Sequence, residues 1–259
     1  MHNTHAAVDL PSLRKQKILL LLERDGKVTA SELVEHFAVS QDTIRRDLGE
    51  LASAGLLQRV HGGALPASPA TADFAKRRTI ESSTKRAVAK AAAGMISDGQ
   101  VVIIDGGTTA IELARQLPDG LRATVVTHSP NVAVELVDHG GIEVIMIGGR
   151  LFKHSIVNVG AAALEALSHI RADIFFMGVT GVHASAGLST GDLEEAYMKR
   201  ALAAHAAETV VLASADKLNA ASQYMIGEIT LANLIIVEKN TAASLTQPLE
   251  AAGVAIMRA

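Results

Sequence analysis

The sequence predicts an α/β protein in two parts, a small helical N-terminal domain and a larger domain built on a mainly parallel sheet. Two patterns predict this fold class. Three amphipathic helix patterns occupy the first 55 residues, and from residue 84 onward short apolar runs alternate with helical stretches. Continuous apolar runs separated by helices are typical of strands buried on both faces of a parallel sheet.

The first two helices are predicted from apolar spacing and from end signals. Residues 14–24 carry apolar side chains at helical spacing and stop before the turn signal Asp25-Gly26. A second helix begins at Thr29-Ala30-Ser31-Glu32 and extends to Phe37. That tetrapeptide is a capping box, in which the Thr and Glu side chains each bond the other residue's backbone N–H.

The third helix has one apolar face and one polar face. Only two residues separate Phe37 from Ser40, the predicted cap, and such a tight connection suits a helix-turn-helix. Helical spacing buries Ile44, Leu48 and Leu51 together and leaves the adjacent arginines outside, as in a DNA recognition helix. The residues of this helix that we expect to contact DNA are Ser40, Gln41, Asp42, Thr43, Arg45 and Arg46.

A short hairpin, or wing, is predicted after the third helix. Ala54-Gly55 ends the helix, and residues 56–60 followed by His61-Gly62-Gly63 have the pattern of two short strands around a turn. We expect the wing to carry Arg59 and His61 toward a phosphate backbone.

The alternative interpretation of Arg45 and Arg46 is a solvated helix face, since two adjacent arginines on a helix are more often simply exposed to water. The capping box, the two-residue turn and the wing occur together here, and this combination favours DNA recognition. Residues 1–65 hold eight basic and eight acidic side chains. Any DNA-binding surface must therefore gather its positive charge on one side.

The domain boundary is predicted from composition. The stretch Leu65-Pro66-Ala67-Ser68-Pro69-Ala70-Thr71 is small, proline-bearing and without periodicity, as linkers often are. We therefore divide the chain into a DNA-binding domain at residues 1–65, a linker at 66–83 and a larger domain at 84–259. The apolar runs that predict the strands of the larger domain are residues 101–104, 124–126, 144–147, 174–177, 210–212 and 234–237.

Polar residues follow three of these runs. Asp105-Gly106-Gly107-Thr108-Thr109 comes directly after the first strand and opens a helix, so its N–H groups and hydroxyls can surround an anion. Thr127-His128-Ser129 and Gly148-Gly149-Arg150 end two further strands, and Lys217 follows a fourth. Taken singly, these are more often a plain turn, a hydrogen-bonded histidine and a solvated lysine. Together they predict a phosphate pocket formed by Asp105, Gly106, Gly107, Thr108, Thr109, His128, Ser129, Gly148, Gly149, Arg150 and Lys217.

Two sets of residues resemble the DeoR family of bacterial transcription regulators. In the first domain these are Arg14, Ile18, Leu22, Ser40, residues 43–48 and residues 59–64; in the second they are residues 105–109, 148–150, 178–190, Glu195, Lys199 and Lys217. The resemblance implies a winged helix-turn-helix and an effector domain with the fold of ribose-5-phosphate isomerase. It also implies that residues 84–259, our predicted effector-binding and oligomerisation domain, sense a phosphorylated sugar or related metabolite.

Two positions depart from the family pattern. His128 stands where the family usually has Asn, and Ser214-Ala215-Asp216-Lys217 replaces its usual Asp-Ser-Ser-Lys. Both positions bear on the identity of the effector.

Two alternatives from other classes remain. A sugar-phosphate isomerase carrying a DNA-binding module would need a carboxylate base, for which Asp105, Asp192, Glu194 or Glu195 could be nominated, with Lys217 as electrophile. The other alternative is a DNA-binding protein whose second domain serves only for assembly. The complete helix-turn-helix and wing favour a regulator, with no catalytic residues, cofactor or metal expected.

Composition sets the remaining expectations. The chain has no cysteine, which excludes disulfides and thiolate metal sites, and no apolar run of membrane-spanning length. We expect a cytoplasmic, ligand-responsive repressor with no membrane partner. Its expected partners are double-stranded operator DNA, a phosphorylated sugar effector and further copies of the same chain.

Overall fold

The computed structural model describes residues 10–68 and 82–259 of the 259-residue chain. The chain divides into two compact units, Met1–Ala67, the N-terminal unit, and Ser68–Ala259, the C-terminal unit. The predicted start of the linker at residue 66 is wrong, because Pro66 is the last residue of a strand and lies opposite Leu57 in the wing. Residues 69–81 of that linker lie outside the described residues.

The N-terminal unit has the predicted three helices and wing. The helices are α1 (Pro11–Asp25), α2 (Ala30–Phe37) and α3 (Gln41–Ser53), and the wing pairs β2 (Leu57–Val60) with β3 (Gly63–Pro66) in antiparallel fashion. A two-residue strand, β1 (Val28–Thr29), completes the sheet beside β3 and was not predicted, because two residues show no periodicity. The core of the unit is apolar and includes Ile18, Leu22, Leu33, Ile44, Leu48, Leu51 and Leu57.

The helix ends of this unit follow the predicted signals. The N–H of Glu32 donates to Thr29 Oγ1 at 3.2 Å and the N–H of Thr29 donates to Glu32 Oε2 at 3.0 Å, which completes the capping box. Ser40 Oγ accepts from the Thr43 N–H at 3.3 Å. At the end of α1, Gly26 adopts a left-handed conformation with φ of 69°. The path of the chain into α3 is therefore set by local hydrogen bonds.

A seven-stranded sheet forms the centre of the C-terminal unit, and all its neighbouring strands are parallel. In spatial order the strands are β15 (Ala255–Arg258), β14 (Leu234–Val237), β12 (Ala206–Leu212), β9 (Ala172–Gly178), β4 (Val101–Ile104), β5 (Ala123–Thr127) and β6 (Ile142–Met146).

Helices cover both faces of this sheet. On one face, α4 (Ser82–Ala93), α5 (Thr108–Arg115) and α6 (Pro130–Glu135) pack against side chains such as Val102 and Ile104. On the other face, α7 (Ala161–Leu167), α8 (Leu193–Ala204) and α9 (Ala243–Ala251) pack against alternate residues such as Ile103. This three-layer arrangement confirms the predicted α/β class.

The antiparallel parts of the C-terminal unit were not predicted. A hairpin joins β7 (Arg150–Phe152) to β8 (Val157–Val159), and a small sheet contains β10 (Gly181–His183), β11 (Gly187–Thr190) and β13 (Tyr224–Gly227). These strands have three or four residues each, too few for a periodic pattern. The strand β15 was missed as well.

One prediction about the sheet is wrong. The run at residues 144–147 was expected to be buried on both faces, but β6 is an edge strand on which Ile145 and Met146 are exposed. In the parts of the chain that the structure describes, no helix is long and apolar enough to cross a membrane.

Candidate functional site

The outer face of α3 has the predicted charge. Arg45 and Arg46 are exposed, and Arg45 Nη2 lies 3.1 Å from Asp42 Oδ1 one turn earlier. Ser40 and Gln41 are exposed as well, and the Ser40 hydroxyl lies 2.9 Å from the Thr43 hydroxyl. A pair of exposed side chains such as Arg45 and Asp42 holds its geometry weakly.

The wing brings a third arginine to this helix. Arg59 and His61 are both exposed, and Arg59 Nη1 lies 3.9 Å from the position that a Cβ on Gly49 would occupy. The guanidinium of Arg59 therefore lies beside α3. α3 and the wing thus bring three exposed arginines, Arg45, Arg46 and Arg59, to the surface of the N-terminal unit.

A buried ion pair, which the sequence did not reveal, fixes α3 within the unit. Arg14 of α1 and Asp47 of α3 are 5% and 4% exposed, and Arg14 Nε donates to Asp47 Oδ2 at 2.5 Å. Both residues belong to the resemblance described for the N-terminal domain. Their signal was the placement of Asp47 between the apolar residues Ile44 and Leu48.

The C-terminal unit contains a cavity of about 230 Å³ at the carboxyl end of β4. Five of the predicted pocket residues line it, namely Gly106, Gly107, Thr108, Thr109 and Lys217. Glu195 and Lys199, which belong to the resemblance, also line it. Thr180 and Thr190, from the stretch 178–190 of the resemblance, line it as well, and so do Ser214 and Asp216, which precede Lys217. The polar lining residues that sequence reasoning missed are Lys85 and Ser155.

The glycine loop between β4 and α5 depends on its glycines. Gly107 adopts φ of 97°, which L side chains rarely adopt, and a Cβ on Gly106 would lie 2.1 Å from Val157 Cγ1. Among the described side chains none caps the first turn of α5. The N–H groups of that turn are therefore left to an anion or to water.

Asp105 supports the loop from inside the protein. Its Oδ1 accepts from the Gly106 N–H at 2.7 Å, and its Oδ2 accepts from the Gly178 N–H at 2.8 Å and from Lys199 Nζ. His128 Nε2 lies 2.7 Å from Oδ1. Burial raises the pKa of Asp105, but the charge of Lys199 and the hydrogen bond from His128 outweigh it and hold that pKa well below its usual range.

Lys199 is shared between two carboxylates. Besides its bond to Asp105, Lys199 Nζ lies 3.4 Å from Glu195 Oε1. Burial lowers the pKa of Lys199, and the two carboxylates outweigh burial and raise it. Thr190 Oγ1 donates to Glu195 Oε2 at 2.9 Å. The wall of the cavity near Glu195 is thus polar and held in place by hydrogen bonds.

The other predicted pocket residues are placed elsewhere. Asp105, His128 and Ser129 are fully buried, and none of them is among the described residues that line the cavity. Gly148, Gly149 and Arg150 are not among those lining residues either. The chain turns after β6 into the β7–β8 hairpin, on which Arg150 is exposed. The expected convergence of three strand ends is therefore limited to the first of them.

Among the described residues no group of three or more His, Cys, Asp or Glu side chains is arranged to hold a metal ion.

Comparison with known proteins identifies both units. Residues 14–70 match the family model of a DeoR-like helix-turn-helix domain, and residues 80–239 match that of the DeoR C terminal sensor domain. The chain is 34% identical to the HTH-type transcriptional regulator GlpR of Haloferax volcanii over 96% of this chain and 98% of that protein. It is 31% identical to the glycerol-3-phosphate regulon repressor of Escherichia coli K12, covering 91% and 94% of the two chains.

Among solved structures, ribose 5-phosphate isomerase A from Methanocaldococcus jannaschii is 22% identical over 51% of this chain and 52% of that chain. Its TM-score is 0.39, a likeness too weak to support an inference.

Proposed function

The chain belongs to the DeoR family of transcription regulators, and from this premise we propose that it represses a sugar-catabolism operon under the control of a phosphorylated sugar or related metabolite. It is a DNA-binding regulator. Its relatives along nearly the whole chain are named as regulators or repressors, which fits this function and not the isomerase alternative.

The observation that carries the effector class is the composition of the cavity wall. The glycine loop at the start of α5 offers backbone N–H groups and the Thr108 and Thr109 hydroxyls, and Lys85 and Lys217 line the same cavity. N–H groups at a helix start combined with lysines suit a phosphate. Glu195 on the wall is a hydrogen-bond acceptor, so it suits the hydroxyl groups of a polyol or sugar.

The proposed DNA interface is the outer face of α3 together with the wing. Arg45 and Arg46 would reach base edges or phosphates in the major groove, while Arg59 and His61 would contact the backbone. Regulators of this type usually bind repeated half-sites that match their own symmetry. We therefore propose that the chain acts as a homo-oligomer.

A thermal-shift screen tests the effector class. The full-length protein is heated with inorganic phosphate, glycerol 3-phosphate, glucose 6-phosphate or fructose 6-phosphate, and in parallel with glycerol, glucose or fructose. A ligand at 100 times its Kd stabilises the native state by about 2.7 kcal/mol. We expect a rise in Tm with at least one phosphorylated compound and none with its unphosphorylated counterpart. Equal responses to both members of each pair would refute a phosphate site.

A further inference from the structure

Ser68 holds the start of the C-terminal unit to the wall of the cavity. It is the first residue of that unit, two positions after the end of β3, and only 3% of its surface is exposed. Its Oγ donates to the carbonyl oxygen of Thr180, and its N–H donates to the carbonyl oxygen of Ala221 at 3.4 Å. The chain that leads out of the N-terminal unit is thus bonded to two points of the C-terminal unit.

Thr180 connects this attachment to the cavity. It lines the cavity and follows Gly178 and Val179, which line it as well. The Thr180 hydroxyl lies 2.7 Å from Ser222 Oγ and 3.1 Å from the carbonyl oxygen of Ser189, so it can accept from Ser222 and donate to Ser189. The Ser222 N–H donates in turn to Ser189 Oγ at 2.9 Å. A continuous set of hydrogen bonds therefore runs from the cavity wall to Ser68.

The chain returns to the same cavity after residue 81. Lys85, in the first turn of α4, is a lining residue. Its helix packs against α5 through Val88 and Ala92, which share a core with Ala110. Ser68 and Lys85, which lie on either side of residues 69–81 in the sequence, are thus both held at the wall of one cavity.

We propose that the hydrogen bond between Ser68 and Thr180 transmits occupancy of the cavity to the N-terminal unit. This inference rests on the proposed function, and it names the route of regulation. A ligand shifts a conformational equilibrium only as far as its affinity differs between the two states. A ligand held against residues 178–180 contacts the turn whose carbonyl oxygen holds Ser68, so its affinity depends on the position of that turn. Through Ser68 the same change reaches the backbone that continues β3.

The test measures coupling apart from binding. A duplex is selected from a random-sequence pool by the full-length protein, and its Kd is measured by fluorescence anisotropy with and without glycerol 3-phosphate or fructose 6-phosphate. For the wild type we expect the probe to change the DNA Kd by at least about fivefold, the lower range of allosteric coupling. For Ser68→Ala we expect each separate Kd to stay within about twofold of wild type, with the coupling reduced to near one.

Two variants control for the substitution. Ser83→Ala removes a hydroxyl from an exposed serine in the first turn of α4. It should keep the coupling of the wild type. Ser68→Thr retains a hydroxyl, and it should restore at least part of the coupling that Ser68→Ala loses. Because coupling is reciprocal, DNA must change the affinity for the probe by the same factor.

A measurement on the wild type covers the case in which Ser68→Ala does not fold. The amide of Ser68 is hydrogen-bonded, so its hydrogen exchange should change when the probe occupies the cavity. Unchanged exchange with the probe bound, or wild-type coupling in Ser68→Ala, would overturn the inference and leave the proposed function intact. If no phosphorylated probe binds while DNA binding persists, the proposed function fails and this inference fails with it.

Discussion

Arg14 and Asp47 form a two-contact ion pair inside the N-terminal unit, with N–O distances of 2.5 and 3.2 Å and side chains that are 6% and 5% exposed. Removal of one partner leaves a buried charge without compensation, which costs about 3–5 kcal/mol. Arg14→Met keeps the apolar stem and removes the charge. We expect it to lower the free energy of unfolding of this unit by that amount, as measured by urea denaturation followed by circular dichroism.

The neighbouring pair of Lys15 and Glu50 supplies the control. Lys15 Nζ lies 2.6 Å from Glu50 Oε2, but the side chains are 28% and 53% exposed. The removal of an exposed pair costs about 1 kcal/mol or less. Lys15→Met should therefore be nearly neutral, and equal losses in the two variants would mean that burial of the Arg14–Asp47 pair is unimportant.

Arg46 is predicted to contact DNA. If it makes a forked contact to a guanine, Arg46→Ala should weaken binding of the selected duplex by about 1–3 kcal/mol and relax specificity at one position. If it contacts a phosphate, binding should weaken equally on all sequences. The slope of the logarithm of affinity against the logarithm of salt concentration should then fall by about one. Anisotropy titrations at several salt concentrations distinguish the two contacts.

Arg24 is the matched control for this experiment. It is an arginine of the same unit that lies on α1 and pairs with Asp25 at 2.7 Å. Arg24→Ala should bind the duplex as wild type does. Wild-type affinity of Arg45→Ala and Arg46→Ala would remove the recognition-helix assignment.

The parts of the fold that the sequence predicts are those fixed by local contacts. The capping box at Thr29 and the cap at Ser40 involve residues three positions apart, so both helix starts were predictable. The Arg14–Asp47 pair joins residues 33 positions apart, and neither residue alone indicates a partner. An aspartate on the apolar side of a helix was the one available signal.

The candidate site divides in the same way. The glycine loop directly follows β4, so its place at the end of a strand was predictable from its own sequence. Lys85 and Thr180 reach the cavity from distant parts of the chain. The placement of Arg150 was misjudged because the end of β6 leads into a hairpin, and a strand end does not determine where the following residues turn.

The two units are expected to fold separately. The buried apolar clusters of the C-terminal unit contain no residue of the N-terminal unit among those described. A fragment of residues 68–259 should therefore unfold cooperatively and keep the Tm response to phosphorylated probes. The fragment of residues 1–67 should bind DNA more weakly than the whole chain. It lacks the unit proposed to hold the oligomer together, so it loses the gain in affinity from several linked DNA-binding units.

A shorter fragment tests where the C-terminal unit begins. Residues 101–259 lack α4, whose Val88, Ala89 and Ala92 are at most 2% exposed. The loss of these buried contacts should destabilise that fragment strongly. Equal stability of the two fragments in urea would mean that α4 is not part of the folded unit.

The pair of Asp105 and Lys199 predicts a pH dependence of stability. The pKa of Asp105 is lowered from 3.8, so its contribution is present above that value and is lost as the pH falls through the folded pKa. The pKa of Lys199 is raised from 10.5, so its contribution is present below that value and is lost as the pH rises through the folded pKa.

Asp105→Asn removes this dependence together with the pair. At pH 7 it should lower the free energy of unfolding by about 3–5 kcal/mol, because Lys199 stays buried with one carboxylate fewer. The difference from wild type should be level between about pH 5 and 9 and should shrink under more acidic conditions. Urea denaturation within this range and at lower pH checks the prediction, and a difference that grows in acid would contradict it.

Gly107 should be needed for the response to effector but not for DNA binding. At φ of 97° a valine would be strained, and its side chain would project from the loop that is proposed to hold the phosphate. Gly253 is the matched control, with φ of 91° and, like Gly107, open space around its missing Cβ. Gly253 is not among the described residues that line the cavity, so Gly253→Val carries similar strain without touching it.

We expect both variants to bind the selected duplex, and Gly107→Val alone to lose the response to phosphorylated probes in the thermal-shift and anisotropy measurements. If Gly107→Val responds as wild type does, the glycine loop is only a turn and the effector binds elsewhere.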